Sequence, residues 1–166
     1  MNQKIETLIV VDKNDKIIDF QPRSICHNPS KLLLHREVHI CLLNKKGEFL
    51  IQKRSTNKKT FPGMYTNSPT GHVEKGETYE EAALKEVKEE LGIKDIELHF
   101  TKKFITNTPQ NRAYISIFTG IHNGPFMISR KEVDEVKFYN KESIKSIANK
   151  LTPACKKCLR TLNLIN

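Results

Sequence analysis

Glu86, Glu89 and Glu90 are spaced so that a helix would carry all three carboxylates on one patch of its surface. At about 100° of turn per residue, Glu89 falls roughly 60° to one side of Glu86 and Glu90 roughly 40° to the other. Like charges this close destabilise a bare helix. A hard cation such as Mg²⁺ or Mn²⁺ reverses that cost, because it takes carboxylate oxygens together with the phosphate oxygens of a substrate. Taken alone, the three residues read more readily as a solvated Glu/Lys face. Their neighbours favour a site. Ala83, Val87 and Leu91 run as an apolar stripe beside them, Gly71 and Glu77 precede the helix, and Gly92 ends it.

With these neighbours, the segment from Gly71 to Ile93, GHVEKGETYEEAALKEVKEELGI, resembles the Nudix box, G-x5-E-x7-R-E-U-x-E-E-x-G-U with U aliphatic. Each specified position matches except Lys85, which stands where arginine is usual. The resemblance implies an α/β/α sandwich with a mixed sheet. It also implies that Glu86, Glu89, Glu90 and the Gly71 carbonyl hold Mg²⁺ or Mn²⁺, and that Glu77 pairs with the basic residue of the box. Lys85 can keep that ion pair but lacks the two-pronged geometry of a guanidinium. Bound metal would neutralise a diphosphate and lower the pKa of the attacking water. The proton would go to one of these glutamates or to a carboxylate of a later loop. Glu132 and Glu135, in KEVDEV, are the candidates there, against a bland reading as strand-edge charges.

A second resemblance surrounds the first. Lys58 to His72, KKTFPGMYTNSPTGH, is similar to isopentenyl-diphosphate isomerases of the same superfamily. Arg54 and Lys58 fall where those enzymes hold the diphosphate, and His27, His35 and His72 where they place metal-binding histidines. Thr70 occupies the position of the isomerase cysteine, and the stretch from Asn111 to Phe118 lacks the isomerase glutamates. A hydroxyl is a far weaker acid than a thiol, so metal-dependent hydrolysis of a small organic diphosphate, nucleoside diphosphates included, is the first expectation. Isomerisation is the second, and a non-catalytic phosphate- or RNA-binding module the third. The nearest pattern is a bacterial hydrolase branch sharing His35-Arg36, Phe61 to Gly63 and Gly124 to Phe126.

The elements that must position these residues are legible in outline. Thr7 to Val11 and Lys16 to Phe20 read as paired strands, and Pro22 to His27 as a short helix. Glu37 to Leu43 and Glu48 to Arg54 read as a hairpin turning at Asn44 to Gly47. Ser55 to Thr70, punctuated by Pro62-Gly63 and Pro69, reads as irregular. Thr78 to Leu91 is the strong helix, closed by Gly92. Strands are expected over 95–106, 112–121 and 132–139, then helices over 140–150 and 153–164. This predicts one mixed α/β domain spanning residues 1–166.

The 166 residues are 37% hydrophobic and 28% charged, enough for one core. No apolar run is long enough to cross a bilayer, and Met1 to Glu6 has no signal-peptide layout, so a cytoplasmic protein is expected. The net charge of +9 favours anionic partners, whether nucleic acid, an acidic membrane surface or a phosphorylated metabolite. The lysines are dispersed and Trp is absent, so no base-stacking platform stands out. Cys155 and Cys158 form a C-x-x-C without a second ligand pair nearby, which reads as two buried helical thiols rather than a zinc or redox centre.

Overall fold

A computed structural model describes residues 5–165, so the ends of the expected 1–166 domain lie outside it. The elements run β1 (Thr7–Val11), β2 (Ile17–Pro22), α1 (Arg23–Cys26), β3 (His35–Leu43), β4 (Phe49–Arg54), β5 (Tyr65–Asn67), β6 (Thr70–His72), α2 (Tyr79–Leu91), β7 (His99–Thr108), β8 (Asn111–Ile121), β9 (Val133–Tyr139), α3 (Lys141–Ser146), a 3₁₀ turn (Ala148–Lys150) and α4 (Pro153–Thr161).

β3 is the spine of the mixed sheet. It pairs in parallel with β8 from His35↔Ala113 to Leu43↔Ile121. Its other edge meets β1 at Val10↔His35, β6 from Glu37↔His72 to His39↔Thr70, and β4 at Leu43↔Phe49. β9 and β5 flank β4. Because side chains alternate across a strand, β3 and β4 feed two cores. Val38, Ile40, Leu42 and Leu50 join Ala83, Val87 and Leu91 of α2. Phe49 and Ile51 join Ile144 of α3 and Cys155 and Leu159 of α4. Helices thus cover both faces of the sheet, the sandwich anticipated from the sequence.

Local chemistry sets the ends of α2. Thr78 and Glu81 form a reciprocal capping box. Gly92 closes the helix in a left-handed conformation (φ 71°), its N–H donating to the Lys88 carbonyl. Among the described residues, no helix is long and apolar enough to cross a membrane.

Several expectations need correction. Residues 55–70 are not wholly irregular, since β5 lies inside the segment and β6 begins at its end. Both are three-residue strands that exist because β4 and β3 offer hydrogen-bonding edges, a non-local cause. β3 starts at His35, two residues early, where β8 continues the ladder. The expected helix over 140–150 is α3 followed by a 3₁₀ turn.

Candidate functional site

A cleft of about 490 Å³ opens between β6, α2, the loop after β4 and the segment just before β9. Gly71, Glu86, Glu89, Glu90, Arg54 and Lys58 all line it. Residues up to 36 positions apart in sequence therefore share one space, because β6 carries Gly71 alongside α2. A Cβ on Gly71 would overlap the Glu86 carboxyl, so only glycine permits this approach.

The glutamates are poorly compensated. Burial, then the charge of Glu90, raises the Glu86 pKa to about 8. Burial, then Glu132, raises Glu90 to about 7, against Lys58, Gln52 and Arg54. Glu90 is 6% exposed and its Oε2 has no hydrogen-bond partner among the described residues. A buried carboxylate oxygen left without a partner is costly. Together with the close-packed glycine, it fits a hard divalent cation, with Glu86, Glu89 and Glu90 as the oxygen donors.

Lys85 Nζ lies 2.8 Å from Glu77 Oε1 and 3.0 Å from Glu74 Oε1. The expected pair with Glu77 forms, and Glu74 joins it. Burial works against the Lys85 charge, but the two carboxylates outweigh it and raise its pKa. Glu77 also accepts the Glu74 N–H at 2.9 Å, which braces the loop before α2, and Lys85 ties that loop to the helix. Arg54 donates to the Thr60 carbonyl at 3.0 and 3.2 Å. Lys58 pairs with Glu132. Of the two later-loop acids, Glu132 lines the cleft, whereas Glu135 is exposed on β9 opposite Lys53 and does not.

Beside the cleft lie the histidines His27, His35 and His72 that the isomerase resemblance pointed to, joined by Glu37, His39 and Glu6, which the sequence reading did not single out. His35, Glu37 and His39 alternate along β3, all three buried. Glu37 accepts from Asn111 Nδ2 at 2.9 Å and sits 3.3 Å from His35 Nε2 and 3.5 Å from His72 Nε2. His27 Nε2 is 3.0 Å from His72 Nε2, and His72 Nδ1 is 3.0 Å from Glu6 Oε1. Burial, reinforced by His35 and His72, lowers the His27 pKa to about 4. Burial opposes ionisation of Glu37, yet the imidazole hydrogen bonds and charges around it hold its pKa well below the usual range. The available signal was the period-two H-x-E-x-H on a strand whose other residues are apolar. The two C-x-x-C thiols are both fully buried, and Cys158 faces Cys41 of β3 at 3.5 Å rather than its neighbour Cys155.

Residues 33–162 match the family model for the NUDIX domain. The chain belongs to the Nudix family. This Nudix protein is 31% identical over 159 residues to an uncharacterised Nudix hydrolase of Pseudomonas aeruginosa, covering 96% of this chain and 92% of that one. It is 33% identical over 149 residues to an isopentenyl-diphosphate isomerase of Photorhabdus laumondii, covering 87% and 82%. A crystal structure from Deinococcus radiodurans shares its fold with a TM-score of 0.81 at 22% identity, covering 94% of this chain and 98% of that one. Both resemblances read from the motifs thus have counterparts among whole-chain relatives, and the enzyme is a Nudix hydrolase.

Proposed function

We propose that this Nudix hydrolase cleaves the diphosphate linkage of a small organic molecule, nucleoside diphosphate derivatives included, with Mg²⁺ or Mn²⁺ held by Glu86, Glu89, Glu90 and the Gly71 carbonyl. The observation that carries the reading is the convergence of the glutamate face of α2 with two cations, Arg54 and Lys58, on one cleft. The bound metal supplies charge neutralisation at the diphosphate and acidifies the attacking water. The remaining work falls to side chains. Arg54 and Lys58 bind the phosphoryl oxygens, Lys58 exchanging its Glu132 partner for substrate. Released from Lys58, Glu132 borders the cleft beside Glu90 and is placed to take a proton. Glu77 and Lys85 fix the loop that presents Gly71.

The isomerase alternative is disfavoured by the same wall. Thr70 lines the cleft where a thiol acid would be needed, and β8 offers Asn111 and Ala113 rather than carboxylates. The deciding experiment is a screen of nucleoside diphosphate derivatives and prenyl diphosphates with Mg²⁺, following phosphate, pyrophosphate and isomer. Metal-dependent phosphate or pyrophosphate release that drops at least about 100-fold in Glu90→Gln, the scale of losing one electrostatic stabiliser, supports the proposal. Full activity in EDTA, or near-normal turnover by Glu90→Gln, defeats it.

A further inference from the structure

We propose that His39 and Glu37 read a vicinal diol on the substrate, so that the cleft selects a ribose over a 2-deoxyribose. This selectivity rests on the same cleft holding a diphosphate. Both side chains are buried, both line the cleft, and both stand on one face of β3. The tautomer of His39 is fixed from behind. Asn67 Nδ2 donates to the Ile40 carbonyl at 3.3 Å, which turns Asn67 Oδ1 toward the imidazole. That oxygen only accepts, and His39 Nδ1 lies 3.1 Å from it, so the ring proton sits on Nδ1. His39 Nε2 is left as a hydrogen-bond acceptor.

Glu37 supplies a second acceptor beside it. The contacts of the carboxylate with Asn111, His35 and His72 all go to Oε1. Among the contacts described, Oε2 faces only His39 Nε2, at 3.7 Å, beyond hydrogen-bond reach. Two buried acceptors side by side leave each other unsatisfied, which is costly. A ligand carrying two neighbouring hydroxyls satisfies both by donating one hydrogen bond to each. A single hydroxyl satisfies one.

The pair is placed to meet the organic part of a diphosphate. Val38 is paired with Gly71 across β3 and β6, and Gly71 meets Glu86. His39 is one strand step further on, about 3.3 Å along β3. Its partner across the strands is Thr70, which also lines the cleft. A sugar joined to a phosphate at Gly71 therefore has hydrogen-bonding side chains beside it. A hydrocarbon tail would not be matched, since Phe61 and Ala154 are the only apolar side chains lining the cleft among the described residues.

The test reads binding by calorimetry in excess Mg²⁺, in the Glu90→Gln chain so that slow turnover preserves the ligands. One pair of ligands is ADP and 2′-deoxy-ADP. The other is ADP-ribose and its analogue with 2-deoxyribose beyond the diphosphate. The ribose ligand should bind about 10- to 100-fold more tightly than its deoxy partner, the range for a hydrogen bond to a charged group. The pair that shows the gap tells on which side of the diphosphate the diol sits. Adding Glu37→Gln or His39→Phe should lower the ribose ligand to the affinity of its deoxy partner and leave the deoxy ligand unchanged, which general damage to the fold would not do. Thermal melting checks each variant, and Glu37→Gln carries the test alone if His39→Phe does not fold. Equal affinities within both pairs, or a gap retained by folded Glu37→Gln, overturn the diol site and leave the diphosphate reading standing. A gap without hydrolysis by the wild type overturns only the hydrolase reading, and no saturable binding of any ligand overturns both.

Discussion

The α-carbon of Gly71 on β6 lies against the carboxyl group of Glu86 on α2, with no room between them for a methyl group. One strand and one helix, joined only by the loop of residues 73–78, are thereby locked in register at the glutamate face of α2. Gly71→Ala would push Glu86 aside rather than unfold the protein, because that side chain borders an open cleft. Turnover should fall about 100-fold, the usual scale for an angstrom-sized misplacement. The melting temperature should change little. Wild-type turnover would show that the contact is incidental.

Glu90 should trade stability for function. Its buried carboxylate faces Glu132 and leaves Oε2 without a partner. Replacing Glu90 with Gln removes a repelled charge while keeping the shape. At pH 8 without metal the variant should melt at least about 3 °C higher than wild type, the shift produced by roughly 1 kcal/mol in a chain of this size. Calorimetry in EDTA checks this. A lower melting temperature would mean that Glu90 is already compensated in the metal-free protein.

The pH dependence of stability has a definite sign. Glu86 and Glu90 titrate at about 8 and about 7 when folded, against 4.5 otherwise. Above pH 4.5 the folded chain retains protons that the unfolded chain has lost, so these groups reduce stability as pH rises toward 8. His27, lowered from 6.5 to about 4, acts in the opposite direction, but only below pH 6.5. Metal-free protein should therefore melt at a progressively lower temperature from pH 6.5 to 8. Saturating Mg²⁺ should flatten that slope, since the cation replaces the protons. A slope unchanged by Mg²⁺ would count against the glutamate metal site.

Arg54 and Lys58 should affect substrate binding unequally. Lys58 already has a carboxylate partner in Glu132, whereas Arg54 is anchored only to the Thr60 backbone and hydroxyl among the hydrogen bonds described. Arg54→Ala should raise KM by tenfold or more, about 1.4 kcal/mol. Lys58→Ala should raise KM less, because it also releases Glu132. Steady-state kinetics separate the two, and unchanged constants in both variants would assign them to the surface.

No isomerisation of isopentenyl diphosphate is expected. Carbon protonation needs an acid and a base on opposite sides of the substrate, and Thr70, Asn111 and Ala113 supply neither. Incubation in D₂O with Mg²⁺ or Mn²⁺, followed by NMR, should show no dimethylallyl product and no deuterium in the carbon skeleton. Enzyme-dependent deuteration would reverse the choice between the two activities. Thr70→Cys alone should also fail.

What the sequence determined was local and periodic. The helix from Tyr79 to Leu91 follows from Thr78 and Glu81 at its start, Gly92 at its end and an apolar stripe at helical spacing, all within one short segment. The Lys85–Glu77 pair was implied by the resemblance to the Nudix box, and the structure contains it. What only the tertiary structure decided was everything that depends on an edge or a partner far along the chain. β5 and β6 have too few residues to signal themselves and exist as strands only against β4 and β3. Glu37 gains its imidazole neighbours only because β6 brings His72, and the end of α1 brings His27, beside β3. Cys158 found Cys41 across 117 residues instead of the thiol three positions away. In each of these cases, short-range preferences are too weak to choose a conformation, and the sheet's hydrogen bonds and the burial of both its faces make the choice.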